Sequence, residues 1–138
     1  MAVMRRQVHP QRLNLRKSKD GRILYSQVVE VNGSGRMIFV AGQVARDGDG
    51  NNVGKGDMRA QIEQVGENIK DALEAVGATL NDIVRTTTYV TDIDEYFKHA
   101  DVRLRYFGSA VPTSTTVEVR RLASPDNMVE IEVLAITD

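Results

Sequence analysis

Runs of β-branched and aromatic residues along the chain predict five β-strands. The first two runs, at 22–31 and 36–45, are separated by residues 32–35, whose Asn and Gly tolerate the positive φ angles of a tight turn. These two runs therefore predict a β-hairpin. Three further runs of the same character predict strands at 83–91, 113–120 and 128–136.

Two other stretches repeat their apolar positions every three to four residues, which is the period of an amphipathic helix. The first helix is predicted to begin after the N-cap Asp57 and to end at Gly77, and the second to begin after Asp92 and to end at Gly108. Glu95 would complete a capping box with Asp92. The predicted buried stripes are Met58, Ile62, Val65, Ile69, Leu73 and Val76 in the first helix, and Ile93, Phe97, Ala100, Leu104 and Phe107 in the second.

The predicted order, β-β-α-β-α-β-β, indicates an α+β domain in which a mixed β-sheet is covered on one face by both helices. In the last strand, alternate residues from Val129 to Ala135 are apolar and should pack on the helices. The opposite face carries Glu130, Glu132, Leu134 and Ile136. Carboxylates beside large aliphatic side chains are not typical of a solvated sheet face. Either another subunit covers this face or it lines a pocket.

Charge divides the chain into two parts. The net charge is −1, but residues 1–21 carry six basic side chains against one acid, whereas residues 22–138 sum to −6. We therefore predict a basic N-terminal arm at 1–21 and a single domain at 22–138. The arm is either a solvated segment or a surface that contacts phosphate. Because the chain lacks a secretory signal and a long apolar stretch, we expect a cytoplasmic protein without membrane contact.

Several motifs that would indicate other chemistry are incomplete. The chain has no cysteine, which excludes disulfides, thiolate metal sites and a thiol nucleophile. The acidic loop at 47–58 lacks the Gly and Glu of a calcium loop, and residues 50–56 lack the hydroxyl residue that follows the Lys of a phosphate-binding loop. The two histidines, His9 and His99, have no metal-ligand spacing. The sequence therefore predicts no metal and no cofactor.

Short motifs occur throughout the predicted domain. They are YSQ at 25–27, FVAGQV at 39–44, NI at 68–69, EAVGA at 74–78, DIV at 82–84, YFG at 106–108, VEV at 117–119, RLA at 121–123 and VEIE at 129–132. Together, over residues 22–137, they resemble the reactive-intermediate deaminase (Rid, or YjgF) family. The resemblance implies a chorismate-mutase-like fold that assembles as a homotrimer with sites in the clefts between subunits. A trimer would also explain why the second face of the last strand is partly apolar.

The resemblance further implies hydrolysis of small enamines and imines, such as 2-aminoacrylate, to a carbonyl compound and ammonia. This chemistry needs a carboxylate that polarises a water molecule and transfers protons, and a cation that anchors the substrate carboxylate. By position, Glu130 matches the water-positioning acid of the family. Tyr25 and Gly42 match residues that line the cleft, the Gly through its backbone. The alternative for Glu130 is a solvated carboxylate or an ion pair at an interface.

The main departure from the family's pattern is the absence of the cation that anchors the substrate. Ser114, the second residue after Pro112, stands where the deaminase subgroup carries its Arg. A single hydroxyl in place of the guanidinium removes a charge-assisted hydrogen bond worth on the order of 1.5–3 kcal/mol. Polar residues of the family are also replaced at Ala41 and Ala100. The other sources of a cation are Arg120, about 20 Å along the strand from Ser114, and Arg103 or Arg105 of a neighbouring subunit.

Three hypotheses for the function remain. The first is a trimeric enamine or imine hydrolase of altered specificity, in which Ser114, Thr115 and Thr116 contact a small substrate that is uncharged or differently anchored. The second is a non-catalytic trimer that binds a small metabolite in the same clefts. The third, an RNA-directed nuclease or translation inhibitor, would depend on the basic arm. It ranks last because the sequence has neither a histidine pair nor a metal cluster, so a nucleic-acid partner is disfavoured.

Overall fold

The computed structural model describes residues 2–138. Within this range the chain forms six β-strands, three α-helices and one short 3₁₀ turn at Leu80–Asp82. In chain order the strands and helices are β1 (Met4–Val8), β2 (Val28–Asn32), β3 (Arg36–Gln43), α1 (Met58–Glu74), β4 (Ile83–Val90), α2 (Ile93–Phe97), α3 (Ala100–Phe107), β5 (Thr113–Glu118) and β6 (Val129–Thr137). No helix in residues 2–138 combines the length and the apolar character that crossing a bilayer requires.

Four strands form the central sheet in the order β3-β6-β4-β5. Strand β6 pairs antiparallel with both β3 and β4, whereas β4 and β5 are parallel. A parallel pair needs a long crossover connection, and the segment that contains α2 and α3 supplies it. The sheet is therefore mixed, and the predicted α+β class is confirmed.

The core lies between helix α1 and one face of the sheet. The predicted stripe of α1 is buried from Met58 to Leu73, and it packs against the apolar face of β6, which is also buried as predicted. Each such aliphatic side chain contributes about 1.5–3 kcal/mol when it leaves water. The Asp57 carboxylate caps α1 by accepting a hydrogen bond from the backbone N–H of Ala60 at 3.1 Å. Val76 lies beyond the end of the helix and is exposed.

The predicted hairpin between residues 22–31 and 36–45 is wrong. Only the end of the first run is a strand, β2, and it pairs antiparallel with β1 of the basic arm rather than with β3. In this two-stranded sheet Arg6 lies opposite Glu30, and the two side chains form an ion pair at 2.8 Å. The arm thus supplies a partner for β2 whose charge complements it, and β1 was missed because it lacks a clear apolar alternation.

The predicted second helix is divided into two. Helix α2 ends at Phe97 and α3 begins at Ala100, and the irregular residues between them shift the phase of the apolar stripe. Within α2 Tyr96 is buried, whereas Phe97, which was predicted to be buried, is exposed. Asp92 caps α2 as predicted, but the Glu95 carboxylate pairs with Lys98 and His99 instead of completing a capping box.

Candidate functional site

The predicted acid, Glu130, lies on the face of the sheet that points away from the helices. The pairing of β3 with β6 shifts register between Val40 and Gln43, which makes a β-bulge. The Glu130 side chain lies directly over Gly42 at this bulge, because a Cβ at position 42 would be only 2.5 Å from Glu130 Oε2. Glycine at position 42 therefore leaves the space that the Glu130 carboxylate occupies.

The outer face around Glu130 carries Glu132, Tyr89 and a cation, Arg85. Tyr89 lies opposite Glu130 on β4, and its hydroxyl donates a hydrogen bond to Oε1 of Glu132 at 3.0 Å. This hydrogen bond, together with the charges of Glu132 and Glu130, raises the pKa of Tyr89 above its ordinary value. Within residues 2–138, no cationic side chain lies within 4.0 Å of the Glu130 carboxylate. The carboxylate can therefore engage water or a second molecule.

A second group of predicted residues lines a cavity on the opposite, helix-bearing side of the sheet. Ser114 and Thr116 pair with Thr86 and Thr88, which are buried beneath the helices, so all four belong to the same face. Ser114 and Thr116, together with Tyr25, line a cavity of about 720 Å³. This volume is within the range of about 300–1,000 Å³ that is usual for small-molecule sites.

Arg103 of helix α3 contacts Ser114 of its own chain, whereas the sequence indicated Arg103 only as a cation from a neighbouring subunit. Its Nη2 donates a hydrogen bond to Ser114 Oγ at 3.1 Å, and the guanidinium is half-buried. Among the described residues no carboxylate lies within 4.0 Å of it. Ala100, one helical turn earlier, lines the same cavity.

The other two candidate cations lie elsewhere. Arg105 points to Glu63, with its Nη2 at 3.6 Å from Oε1, and stacks over the ring of Tyr106. Arg120 lies beyond the end of β5.

Part of the basic arm covers the cavity. Residues 16–20 belong to its lining, and the Arg16 guanidinium lies 5.7 Å from the centre of the Phe97 ring on α2. The backbone N–H of Arg16 also makes a long hydrogen bond, 3.5 Å, to the Tyr25 hydroxyl. Three of the six cations of the arm, Arg16, Lys17 and Lys19, therefore lie at the cavity that contains Ser114.

The predicted site residues thus form two groups rather than one. Glu130 and Gly42 are together on the outer face, whereas Tyr25, Ser114 and Thr116 are together at the helix-side cavity. Thr115 faces away from the cavity and lines a depression of about 340 Å³ at the edge of the sheet, together with Arg85 and with Tyr25 and Ser114. In residues 2–138 no three His, Asp or Glu side chains are placed to hold a metal ion.

Solved structures of similar fold define the class to which these features belong. The chain is similar to the crystal structure of YyfB from Yersinia pestis, a Rid-family protein of unknown function, with a TM-score of 0.79 and 34% identity over 95% of this chain and 97% of that chain. Residues 19–137 match the sequence profile of the family described as Endoribonuclease L-PSP. The chain belongs to this family, which confirms the resemblance found in its motifs.

Sequence relatives carry two kinds of name. A RutC family protein of Pyrococcus abyssi is 42% identical over 111 residues, which is 80% of this chain and 84% of that protein. A 2-iminobutanoate/2-iminopropanoate deaminase of Dermatophagoides farinae is 30% identical over 115 residues, 83% of this chain and 86% of that protein. The family thus includes proteins named for imine deamination and proteins named only for their family.

Proposed function

We propose that this chain is an imine or enamine deaminase, which hydrolyses a small substrate to a carbonyl compound and ammonia. The observation that carries the proposal is the Glu130 carboxylate, which lies over Gly42 without a cationic partner in the described chain. Family membership and the deaminase names of several relatives support it.

In the proposed mechanism Glu130 is the proton carrier. Its carboxylate accepts a proton from a water molecule while the water oxygen attacks the imine carbon, and the π electrons of the C=N bond move to nitrogen, which takes up a proton. The Glu130 carboxylic acid supplies that proton to the nitrogen, and the regenerated carboxylate then takes the hydroxyl proton of the carbinolamine and transfers it to the amino group. The C–N bond breaks, the carbonyl forms and ammonia leaves. The atoms and electrons of this hydrolysis balance without a metal ion and without a redox step.

The proposal includes a trimer in which the two groups of site residues meet across a subunit boundary. Within one chain, Glu130 and Ser114 lie on opposite faces of the sheet, so they cannot contact the same small substrate. The outer face also exposes Phe39 and Met37 to 76% and 59%, which favours cover by another copy of the chain. A cleft between copies would bring Glu130 and Gly42 of one chain to Ser114, Thr116 and Tyr25 of the next.

The test is an assay of ammonia release from freshly generated imines. We expect wild type to accelerate hydrolysis of 2-iminopropanoate or of a neutral imine, and Glu130→Gln to reduce kcat by about 10²–10⁴-fold because the proton carrier is lost. Glu132→Gln is the matched control, since Glu132 is on the same strand face but is bonded to Tyr89. If wild type accelerates neither substrate, the proposal is wrong.

The alternative, a non-catalytic trimer that binds a metabolite, draws on the size of the helix-side cavity and the unpaired Arg103 within it. It predicts that protein purified from its host retains a ligand that native mass spectrometry detects, without turnover of any imine. The RNA-directed hypothesis predicts salt-dependent RNA binding that deletion of residues 1–20 abolishes. Either result, together with inactivity on imines, would replace the deaminase proposal.

A further inference from the structure

The helix-side cavity contains more positive charge than one carboxylate would neutralise. Four cationic side chains in its lining have no acidic partner within 4.0 Å in the described chain: Arg16, Lys17, Lys19 and Arg103. Two other charged residues of the lining are already paired, Lys98 with Glu95 at 3.0 Å and Asp101 with Arg59 at 2.6 Å.

The remaining acid of the lining is Asp20. It accepts a hydrogen bond from the Ser18 hydroxyl, which is the main cause that lowers its pKa, so it is ionised at neutral pH. Four unpaired cations against one acid leave an excess of three positive charges. If a neighbouring copy of the chain contributed Glu130, that carboxylate would neutralise one of these three charges. Two excess positive charges would then remain for the ligand to neutralise.

The four unpaired cations belong to two separate parts of the fold, helix α3 and the basic arm. Arg103 is anchored by its hydrogen bond to Ser114, and it extends from a regular helix. The arm cations flank a tight turn in which the backbone N–H of Ser18 donates to the Arg22 carbonyl oxygen at 2.8 Å, and the Arg22 N–H donates to Ser18 Oγ at 3.0 Å. The turn presents Lys17 and Lys19 on either side of Ser18. Because these two parts are separate, the cavity offers two attachment points for acidic groups.

The cavity is also large for a three-carbon imino acid. Its volume is about 720 Å³, and its apolar lining includes Leu24 and Leu104. A ligand that bridges Arg103 and the arm therefore needs a carbon chain between its acidic groups rather than a single small anion.

From this charge and size we infer that the cavity takes a dianionic substrate, an imine derived from a 2-oxo dicarboxylic acid, with one carboxylate on Arg103 and the second on the lysines of the arm. Ser114 acts here as a positioning residue that orients the Arg103 guanidinium. The identity of the substrate as an imine rests on the proposed function, whereas its two negative charges do not.

The test compares two ketone products of equal chain length, 2-oxoglutarate with two carboxylates and 2-oxopentanoate with one, by isothermal titration calorimetry. We expect the dicarboxylate to bind wild type at least about tenfold more tightly, because it uses both attachment points. The double variant Lys17→Gln/Lys19→Gln should reduce that preference to less than about threefold, mainly by weakening the binding of 2-oxoglutarate. Arg103→Ala should weaken the binding of both ketones, and Arg103→Lys should retain part of it.

Arg105→Ala is the matched control, since Arg105 is on the same helix but pairs with Glu63 outside the cavity. Equal affinity of wild type for the two ketones, or a preference that survives the double lysine variant, would overturn the inference. Deamination assays on the imines of the same two ketones separate it from the proposed function. Turnover without a preference for the dicarboxylate would overturn only the inference. A binding preference without any turnover would support it and refute only the deaminase proposal.

Discussion

In the proposed function, the two faces of the central sheet carry complementary parts of one site. The outer face presents Glu130 near Glu132 and Tyr89 and beside exposed apolar side chains, whereas the helix-side cavity presents Arg103 among unpaired cations. Strand alternation keeps the two parts separate, because successive residues of a strand point to opposite faces. If the proposed function is correct, one chain holds both the acid that moves protons and the cation that anchors substrate, and a substrate would reach both only where two chains meet.

The largest expected effect comes from disrupting the outer face. Phe39→Asp places a charge on a side chain that is 76% exposed in the single chain, so the fold should persist while the assembly dissociates. We expect sedimentation velocity to show species of 15.3 kDa in place of trimers, and deaminase activity to fall below detection. Val76→Asp, which charges an exposed apolar residue after the end of α1, should change neither. A trimeric, active Phe39→Asp variant would contradict the proposed assembly.

Mixing subunits tests directly whether each cleft combines two chains. Glu130→Gln and Arg103→Ala should each be nearly inactive as pure trimers. When the two are unfolded and refolded together, random assembly should give about a quarter of the clefts both intact residues, and the same share of wild-type activity should return. The measurement is ammonia release per cleft across a series of mixing ratios. Activity that stays at the level of the pure variants would place both residues in the same chain's site.

The parts of the fold that were predictable are those fixed by local periodicity. The α1 stripe from Met58 to Leu73 and the two-faced pattern of β6 were correct, and only Val76 at the end of the stripe was wrong, because each element's own sequence determines which side it buries. The pairing of β2 with β1 was not predictable in this way, since the choice of partner depends on distant residues and on charge complementarity such as that of Arg6 with Glu30. The break after Phe97 likewise reflects packing of Tyr96 into the core, which no local pattern indicates.

The residues of the candidate site were likewise predictable only where sequence motifs identify them. The sequence motifs identified Glu130 and Gly42, and the structure brings these two together. The motifs also showed that Ser114 offers no positive charge. They did not show that α3 brings Arg103 to Ser114, because this contact depends on how α3 is seated relative to β5. Residues that act through tertiary placement are therefore the ones that a linear motif misses.

The smallest expected effect on activity comes from displacing the Glu130 carboxylate rather than removing it. Gly42→Ala adds a Cβ that would lie 2.5 Å from Glu130 Oε2, so the carboxylate must move. Because this atom is at the end of a flexible side chain, thermal unfolding should be nearly unchanged. Displacement of a proton carrier by about 1 Å should nevertheless reduce kcat by about 10- to 100-fold with little change in KM. In the control Gly48→Ala the new Cβ meets nothing within 4 Å, and both kcat and KM should match wild type. A Gly42→Ala variant with full kcat would show that the water-handling group is not held at the bulge.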